Sequence, residues 1–484
     1  MSEARTGIAR ATVVGFAAEA MVFPVGLITA GFLTRHLGVV HYGRLSLVYA
    51  VVSPVVWLAS TTFAGRIAVA LLTGARDWRP MAAALLRANL LLGLGAMIGF
   101  GALVPWIAAG IGAPELTPVL FAAAVEILLA PVIRIHRDAL IAQGQYSWPA
   151  VATSAFQLAR LTLVLALVAA GWDLIGVIGA NLGARVVELV ACRIRVRVPV
   201  RGAVQGWFGP LRAQIGALFG YAVCLQLFAR LDLVLLGFLG AAATDVGHYG
   251  AAQNLALAPA LLAMVLSLLM IAALRRAALG RQAEETAALK SGSLRFALAI
   301  WAMAGPVAAG GPGLAVLLFG PGFAPAGALL GWLGVAAGGG LVLSVLSAHQ
   351  IAAGRFARPL AAGIPMLVAA AALQTAWIPW RGALGAAWAT AAAAILAAGI
   401  ALGYDGRGAL PARLFDVARM AAAGAAGYLG TYAAARLGVP SPVDILIGFI
   451  VTGISLLAVR LASLPELRLL ARQFMSATSN PAPT

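Results

Sequence analysis

Long runs of apolar residues dominate the chain, and short segments rich in arginine, glycine and proline separate them. A helix that crosses a bilayer needs about 20 mostly apolar residues, because hydrocarbon offers an open backbone no hydrogen-bond partners. The pattern therefore predicts an all-α polytopic membrane protein with about 14 transmembrane helices. The predicted spans lie near residues 12–34, 45–65, 83–108, 116–134, 148–170, 174–192, 214–238, 248–274, 296–319, 327–349, 359–379, 383–403, 415–437 and 441–460.

Composition agrees with a lipid environment. Of the 484 residues, 62% are hydrophobic and only 10% are charged, whereas soluble domains have about 25% charged residues. The first apolar run is longer than the ~7–15 residues of a signal-peptide core, so we expect it to be a retained span.

The formal charge of +17 suggests nucleic acid at first sight, but its distribution excludes that partner. With the N-terminus in the cytoplasm, 26 of the 33 lysines and arginines fall in cytoplasmic segments and 4 in outer loops. This asymmetry is the positive-inside bias of a multi-pass membrane protein, and it places both termini in the cytoplasm.

Three short patterns occur twice, at offsets of 207 to 210 residues. Ile141–Pro149 matches Ile351–Pro359, and the His-Tyr-Gly beginning at His41 returns at His248. The glycine-rich segment at Gly176 returns at Gly385. Chance matches in a composition this biased are the alternative to a duplicated unit of about six spans.

Because six spans is an even number, both copies would enter the membrane in the same direction, related by an axis along its normal. The sequence thus predicts two parallel-repeat six-helix lobes around a central cavity. The predicted domains are residues 1–205, residues 206–405, and two additional spans with a short cytoplasmic tail in 406–484.

Ionisable groups at membrane depth are costly and therefore candidates for function. We interpret Glu19 and Asp232 as ion-coupling candidates, with an arginine such as Arg185 as the alternative, structural partner of Glu19. Glu126 and Glu188 are candidates for structural ion pairs. Equal depth favours pairing of Glu126 with Arg160, and Arg185 lies three residues before Glu188, close enough to pair locally.

No catalytic constellation is present in the sequence. It has no glycine-rich phosphate loop with its lysine, no Gly-x-Ser-x-Gly and no His-Glu-x-x-His. The two cysteines, Cys192 and Cys224, fall in apolar runs without metal or redox spacing. We therefore expect no enzyme activity, no cofactor and no metal.

Three motifs resemble those of polysaccharide flippases. They are the LTRHLG at Leu33–Gly38 with Tyr42-Gly43, the RLD at Arg230–Asp232 with the VGHY at Val246–Tyr249, and the GALGAAWAT at Gly382–Thr390 after Ile378-Pro379. Together they cover spans 1 to 12. The chain thus resembles the polysaccharide-transport branch of the multidrug/oligosaccharidyl-lipid/polysaccharide flippase superfamily, the O-antigen and exopolysaccharide flippases.

The resemblance implies a transporter of the bacterial inner membrane for an undecaprenyl-pyrophosphate-linked oligosaccharide. Rocking lobes and an ion gradient would drive the lipid-linked sugar from the inner to the outer leaflet, for lipopolysaccharide or exopolysaccharide assembly. The implied partners are this substrate, membrane lipids, and a polysaccharide polymerase or glycosyltransferases. Candidate residues for binding the substrate are Arg35, Arg160, Arg185, Arg230, Gln253 and Asn254.

One feature departs from the family, in which a cationic cavity is expected. The predicted membrane interior holds three arginines against four acids. This count concerns the binding residues and not the family. A separate alternative is a multidrug exporter of the same superfamily, whose cavity should be acidic or apolar. A polytopic glycosyltransferase or polymer ligase is the third possibility, which the short outer loops disfavour.

Overall fold

The computed structural model of the chain describes residues 2–62, 65–74, 77–201, 216–256, 267, 270–271, 273–274, 283–404 and 410–459. The side chains of residues 2–20 lie outside that description. Helices joined by short turns make up this part of the chain, which contains no strand. The predicted all-α class is therefore confirmed.

Fourteen α-helices follow one another along the described ranges. They are α1 (Ser2–Thr61), α2 (Arg66–Gly74), α3 (Trp78–Gly110), α4 (Thr117–Ala142), α5 (Trp148–Ala169), α6 (Asp173–Arg195), α7 (Ala217–Phe238), α8 (Ala243–Ala256), α9 (Ala283–Ala302), α10 (Ala304–Phe319), α11 (Ala326–Ala352), α12 (Ala357–Leu402), α13 (Leu410–Arg436) and α14 (Val443–Ala458).

The helices lie where the apolar runs predict them. Within the described ranges, nine helical segments are long and apolar enough to cross a membrane. Two of these, Met21–Thr61 and Ala357–Leu402, are long enough to contain two predicted spans each. They break at Gly38 (φ 71°, ψ 178°) and Gly382 (φ 54°, ψ −133°), which are conformations that glycine adopts readily. Every predicted run coincides, wholly or in part, with helix.

The chain divides into two compact units. Unit 1 comprises Met1–Phe219 and Gly237–Ala243, and unit 2 comprises Gly220–Leu236 and Thr244–Thr484. In unit 2, α13 packs against α9 and α10, and α14 packs against α10 and α13. The predicted domain boundaries, repeat axis and central cavity stay predictions.

The most similar stretches of sequence form the same turn in each unit. After α4, Gly144 has φ 75° and donates its N–H to the Ile141 carbonyl at 3.0 Å. After α11, Gly354 has φ 74° and donates to the Ile351 carbonyl at 3.1 Å. In both turns the next residue bonds five positions back, which completes a Schellman cap. The local geometry supports a duplicated unit.

After each turn, a contact between an aromatic residue and an arginine joins the two ends of the segment that follows. This segment is α5 and α6 in unit 1 and the two halves of α12 in unit 2. In unit 1, the Trp148 indole donates to the Ala191 carbonyl at 2.9 Å, and the Arg195 guanidinium lies 5.3 Å from the Trp148 ring centre. In unit 2, Arg358 donates to the Tyr404 carbonyl, and the Tyr404 hydroxyl returns a bond to the Arg358 carbonyl at 2.7 Å. Trp148 and Arg358 are 210 residues apart, and Arg195 and Tyr404 are 209 apart. The contact therefore recurs at equivalent positions, but the aromatic residue comes first in unit 1 and the arginine comes first in unit 2.

The repeated turn gives a stability prediction. We expect Gly144→Ala and Gly354→Ala each to lower the free energy of unfolding by about 1–2 kcal/mol, because a β-carbon strains a left-handed residue. An added Cβ would meet no atom within 4 Å at either position, so strain alone would act. Gly399 is the control, since it is helical and its added Cβ also meets nothing. Gly399→Ala should be neutral or stabilising. Equal losses for all three variants, measured by denaturant unfolding in detergent, would contradict the assignment.

Candidate functional site

A ladder of alternating charges joins α4 to α6 in unit 1. Arg185 donates from Nε to Glu126 Oε1 at 2.9 Å and from Nη1 to Glu188 Oε2 at 2.9 Å. The second oxygen of Glu126 accepts from the Asn181 amide at 2.8 Å. At the other end, Arg137 donates to Glu188 Oε1 at 3.3 Å. Every carboxylate oxygen of the ladder therefore has a donor.

Helical spacing places these side chains on facing surfaces. Asn181, Arg185 and Glu188 follow at intervals of four and three residues, so they share one face of α6. Glu126 and Arg137 are about three turns apart on α4, a rise of about 16 Å. Only 8% of Glu126 and 1% of Glu188 is exposed. The ladder thus runs deep into the unit, where unpaired charges would be costly.

The observed pairing differs from the one predicted by depth. Glu126 pairs with Arg185, so its predicted pairing with Arg160 is wrong, whereas the local Arg185–Glu188 pair is present. Position along a helix gives depth but not the direction in which a side chain points, and α6 rather than α5 presents its arginine to Glu126.

Arg160 lies beside the ladder without a carboxylate of its own. Its guanidinium is 6.0 Å from the centre of the Phe156 ring, and the Arg185 guanidinium is 4.2 Å from the same centre. Within the described residues, Arg160 forms no ion pair, while Glu126 and Glu188 are each paired with arginine. Among the described side chains, three arginines therefore accompany two glutamates, which gives this described region of unit 1 an excess positive charge.

A second polar cluster surrounds Asp232 on α7 in unit 2. The Asp232 side chain is 1% exposed. It accepts bonds from the Tyr249 hydroxyl at 2.7 Å, from the Leu233 backbone N–H at 2.8 Å and from the Gln253 amide at 3.1 Å. Arg230 contacts Gln253 instead, at 3.4 Å from Nη1 to Oε1. Neutral donors, not an arginine, thus surround this buried carboxylate in the described part of the chain.

The cluster extends to α12. Thr390 lies 3.3 Å from the Tyr249 hydroxyl and accepts a bond from the Gln374 amide at 3.1 Å. Gln374 is fully buried, and its amide oxygen has no hydrogen-bond partner within the described residues. Oxygens of an acid, a hydroxyl and an amide, one of them unsatisfied, are ligands that suit a proton or a small hard cation.

The remaining predicted residues lie outside these contacts. Arg35 is exposed and Asn254 is half-buried, and the contacts described above include neither side chain. The side chain of Glu19 lies outside the described residues.

Sequence reasoning missed three members of the two clusters. Tyr249 belongs to the repeated His-Tyr-Gly motif and Thr390 to the GALGAAWAT segment, but neither was predicted as a site residue. Arg137 is one of the 26 basic residues that the charge bias places in cytoplasmic segments, and only the fold reveals that it contacts Glu188. The sequence signal that could have identified Tyr249 and Thr390 is a polar side chain inside a motif in an apolar run.

Comparison with known proteins finds similar solved structures but no matching family model or curated sequence. Among solved structures, the chain is similar to the lipid II flippase MurJ in an inward closed conformation, with TM-score 0.71 and 14% identity over 92% of this chain and 97% of that one.

Two multidrug transporters are also similar. An inward-facing multidrug resistance MATE family transporter of the MOP superfamily gives TM-score 0.64 and 15% identity, covering 85% of this chain and 98% of that one. The Vibrio cholerae MATE transporter VcmN gives TM-score 0.56 and 14% identity, covering 83% and 95%. The chain therefore shares the fold of these solved transporters, as the resemblance of its motifs implied.

Proposed function

We propose that the chain is a flippase that moves an undecaprenyl-pyrophosphate-linked oligosaccharide from the inner to the outer leaflet of a bacterial inner membrane by alternating access. The similarity to a lipid II flippase and the sequence motifs support a lipid-linked substrate. The similarity to MATE transporters supports the multidrug exporter, so the residues must distinguish the two.

The excess positive charge in unit 1 is the observation that favours the flippase. Glu126 and Glu188 are neutralised by arginines, and Arg160 has no carboxylate partner in the described residues. Guanidinium groups bind phosphate oxygens in bidentate geometry, and the charge favours a diphosphate. An organic cation would instead meet net repulsion, which disfavours the exporter. In this proposal Arg160 and Arg185, on the Phe156 ring, bind the diphosphate.

Asp232 is our candidate for coupling transport to an ion gradient. Proton or cation binding to Asp232 would change its bonds to Tyr249 and Gln253, which lie on another helix. The change would extend through Thr390 to Gln374 and, through Gln253, to Arg230. Glu19 stays a second candidate for the same role.

A flipping assay tests the proposal. In vesicles containing the purified chain, we expect lipid-linked oligosaccharide to become accessible in the opposite leaflet when an ion gradient is applied. Arg160→Gln should slow flipping by about ten- to a hundredfold, because a charge-assisted hydrogen bond contributes about 1.5–3 kcal/mol. The control Arg79→Gln removes an exposed charge at the start of α3 and should leave the rate unchanged. Export of a cationic dye, without any effect on the lipid-linked sugar, would establish the exporter instead.

The proposal carries further expectations. Both termini would face the cytoplasm, and polymerase or glycosyltransferase partners would supply and consume the substrate. A product formed from lipid-linked donor by the purified chain alone would instead support a glycosyltransferase or polymer ligase.

A further inference from the structure

An arginine-rich strip extends from the end of α6 in unit 1. The helix ends at Arg195, and the next residue, Val196, has extended backbone angles (φ −134°, ψ 118°). Val196 and Val198 are each 2% exposed, whereas Arg193, Arg195 and Arg197 are exposed. We call the exposed residues Arg193, Arg195, Arg197 and Arg201 the arginine strip.

The two valines fix the strip to the protein. Val196 and Val198 pack in one apolar cluster with Leu72 of α2, Leu85 of α3 and Ile135 of α4, among others. The backbone of the strip is therefore fixed by the core of unit 1. It needs no bound ligand to hold it in position.

The strip has a positive charge that no residue in the described part of the chain neutralises. The sequence has no aspartate or glutamate between Glu188 and Asp232. None of the four arginines forms an ion pair with another described residue, which contrasts with Arg137 and Arg185 in the ladder. Such a surface requires an anionic partner or remains exposed to water.

An aromatic side chain indicates the depth of the strip. The Arg195 guanidinium lies 5.3 Å from the centre of the Trp148 ring, at the first residue of α5. Tryptophan concentrates at the boundary between lipid and water, where its polar N–H and apolar ring are both satisfied. The strip thus lies at headgroup level on the side that the charge bias predicts to be cytoplasmic.

We propose that the arginine strip binds anionic phospholipid headgroups of the inner leaflet, with phosphatidylglycerol as the representative ligand. Arg193 and Arg195 lie in the last turn of α6, Arg197 follows the extended Val196, and Arg201 lies four positions further on. The four guanidinium groups are therefore spread along the chain, so different ones can meet different phosphates. A leaflet presents phosphates side by side, whereas one diphosphate presents only two adjacent groups. The row therefore fits a lipid surface better than the headgroup of the transport substrate.

The test compares matched variants of the full chain purified in detergent. The strip variant carries Arg193→Gln, Arg197→Gln and Arg201→Gln, and it keeps Arg195 on Trp148. The control carries Arg79→Gln, Arg87→Gln and Arg355→Gln, three exposed arginines in other segments predicted to be cytoplasmic. Native mass spectrometry would measure the apparent Kd for phosphatidylglycerol, phosphatidylethanolamine and undecaprenyl diphosphate.

We expect the wild type to bind phosphatidylglycerol more tightly than zwitterionic phosphatidylethanolamine. Each arginine near an anionic lipid contributes about a fivefold gain in affinity, so the strip variant should lose roughly a hundredfold. The control should lose far less, and lysines at the three strip positions should restore most of the affinity. Equal losses in strip and control variants, equal binding of the two phospholipids, or strip-dependent binding of undecaprenyl diphosphate alone would each overturn the proposal. Because lipid binding is measured without transport, its outcome is independent of the flippase assay.

Discussion

Replacing Arg185 with leucine is expected to lower the free energy of unfolding by about 3–5 kcal/mol, because it leaves two buried carboxylates without their shared partner. Arg185 bonds both Glu126 and Glu188 at 2.9 Å, and it also lies on the Phe156 ring. Denaturant unfolding of the purified chain in detergent measures the loss. Flipping should be lost as well, since the variant also removes a proposed diphosphate ligand.

Arg160 supplies a matched control on the other side of the same ring. Arg160→Leu removes an arginine 6.0 Å from the Phe156 centre that has no carboxylate partner in the described part of the chain. We expect little loss of stability but a large loss of flipping. Adding Glu126→Gln to Arg185→Leu should restore much of the stability, because it removes the uncompensated carboxylate, while Glu188 keeps its bond from Arg137. Equal destabilisation by Arg185→Leu and Arg160→Leu would contradict the assigned ladder.

Replacing Asp232 with asparagine is expected to abolish the response of transport to an ion gradient while the chain still inserts. Asparagine has nearly the same shape. Its one oxygen can still accept the Leu233 N–H, and its amide can donate to the Tyr249 hydroxyl, but it neither ionises nor binds a cation as a carboxylate does. The measurement is the flipping rate in vesicles with and without an imposed proton or sodium gradient. Tyr249→Phe should weaken the response by removing one donor to the carboxylate.

Asp444 is the control for this substitution. It is also buried in unit 2 and also accepts the following backbone N–H, from Ile445 at 2.7 Å. Asp444→Asn should leave the gradient response unchanged. A full response by Asp232→Asn, or an equal loss in both variants, would exclude Asp232 as the coupling group.

The helices could be predicted from sequence because lipid imposes a minimum length on every apolar run. Where one predicted run follows another closely, the structure has a break between two helices, at Gly38 and at Gly382. The repeated turn was also visible, because Gly144 and Gly354 supply a left-handed residue at the same motif position. The short helix α2 was not predicted, since its nine residues fall below the length of a span.

The polar clusters could not be predicted in the same way. Depth along a helix suggested Arg160 for Glu126, but the direction of each side chain depends on helix packing, and Arg185 is the residue that meets Glu126. The Asp232 cluster brings Thr390 within reach of Tyr249 across 141 positions of sequence, a proximity that only the tertiary fold supplies. The net charge around Arg160 depends on which charged side chains the fold brings there, Arg137 among them. A count of charges along the predicted spans therefore did not reveal it.

We propose that the excess positive charge around Arg160 binds the anionic headgroup of a lipid-linked sugar. The most direct measurement is the equilibrium affinity of the purified chain for an undecaprenyl-pyrophosphate-linked oligosaccharide and for a cationic dye, in the wild type and in Arg160→Gln. We predict that the wild type prefers the lipid-linked sugar and that Arg160→Gln weakens its binding by about ten- to a hundredfold. Preference for the dye, or unchanged affinity of Arg160→Gln for the lipid-linked sugar, would contradict the account.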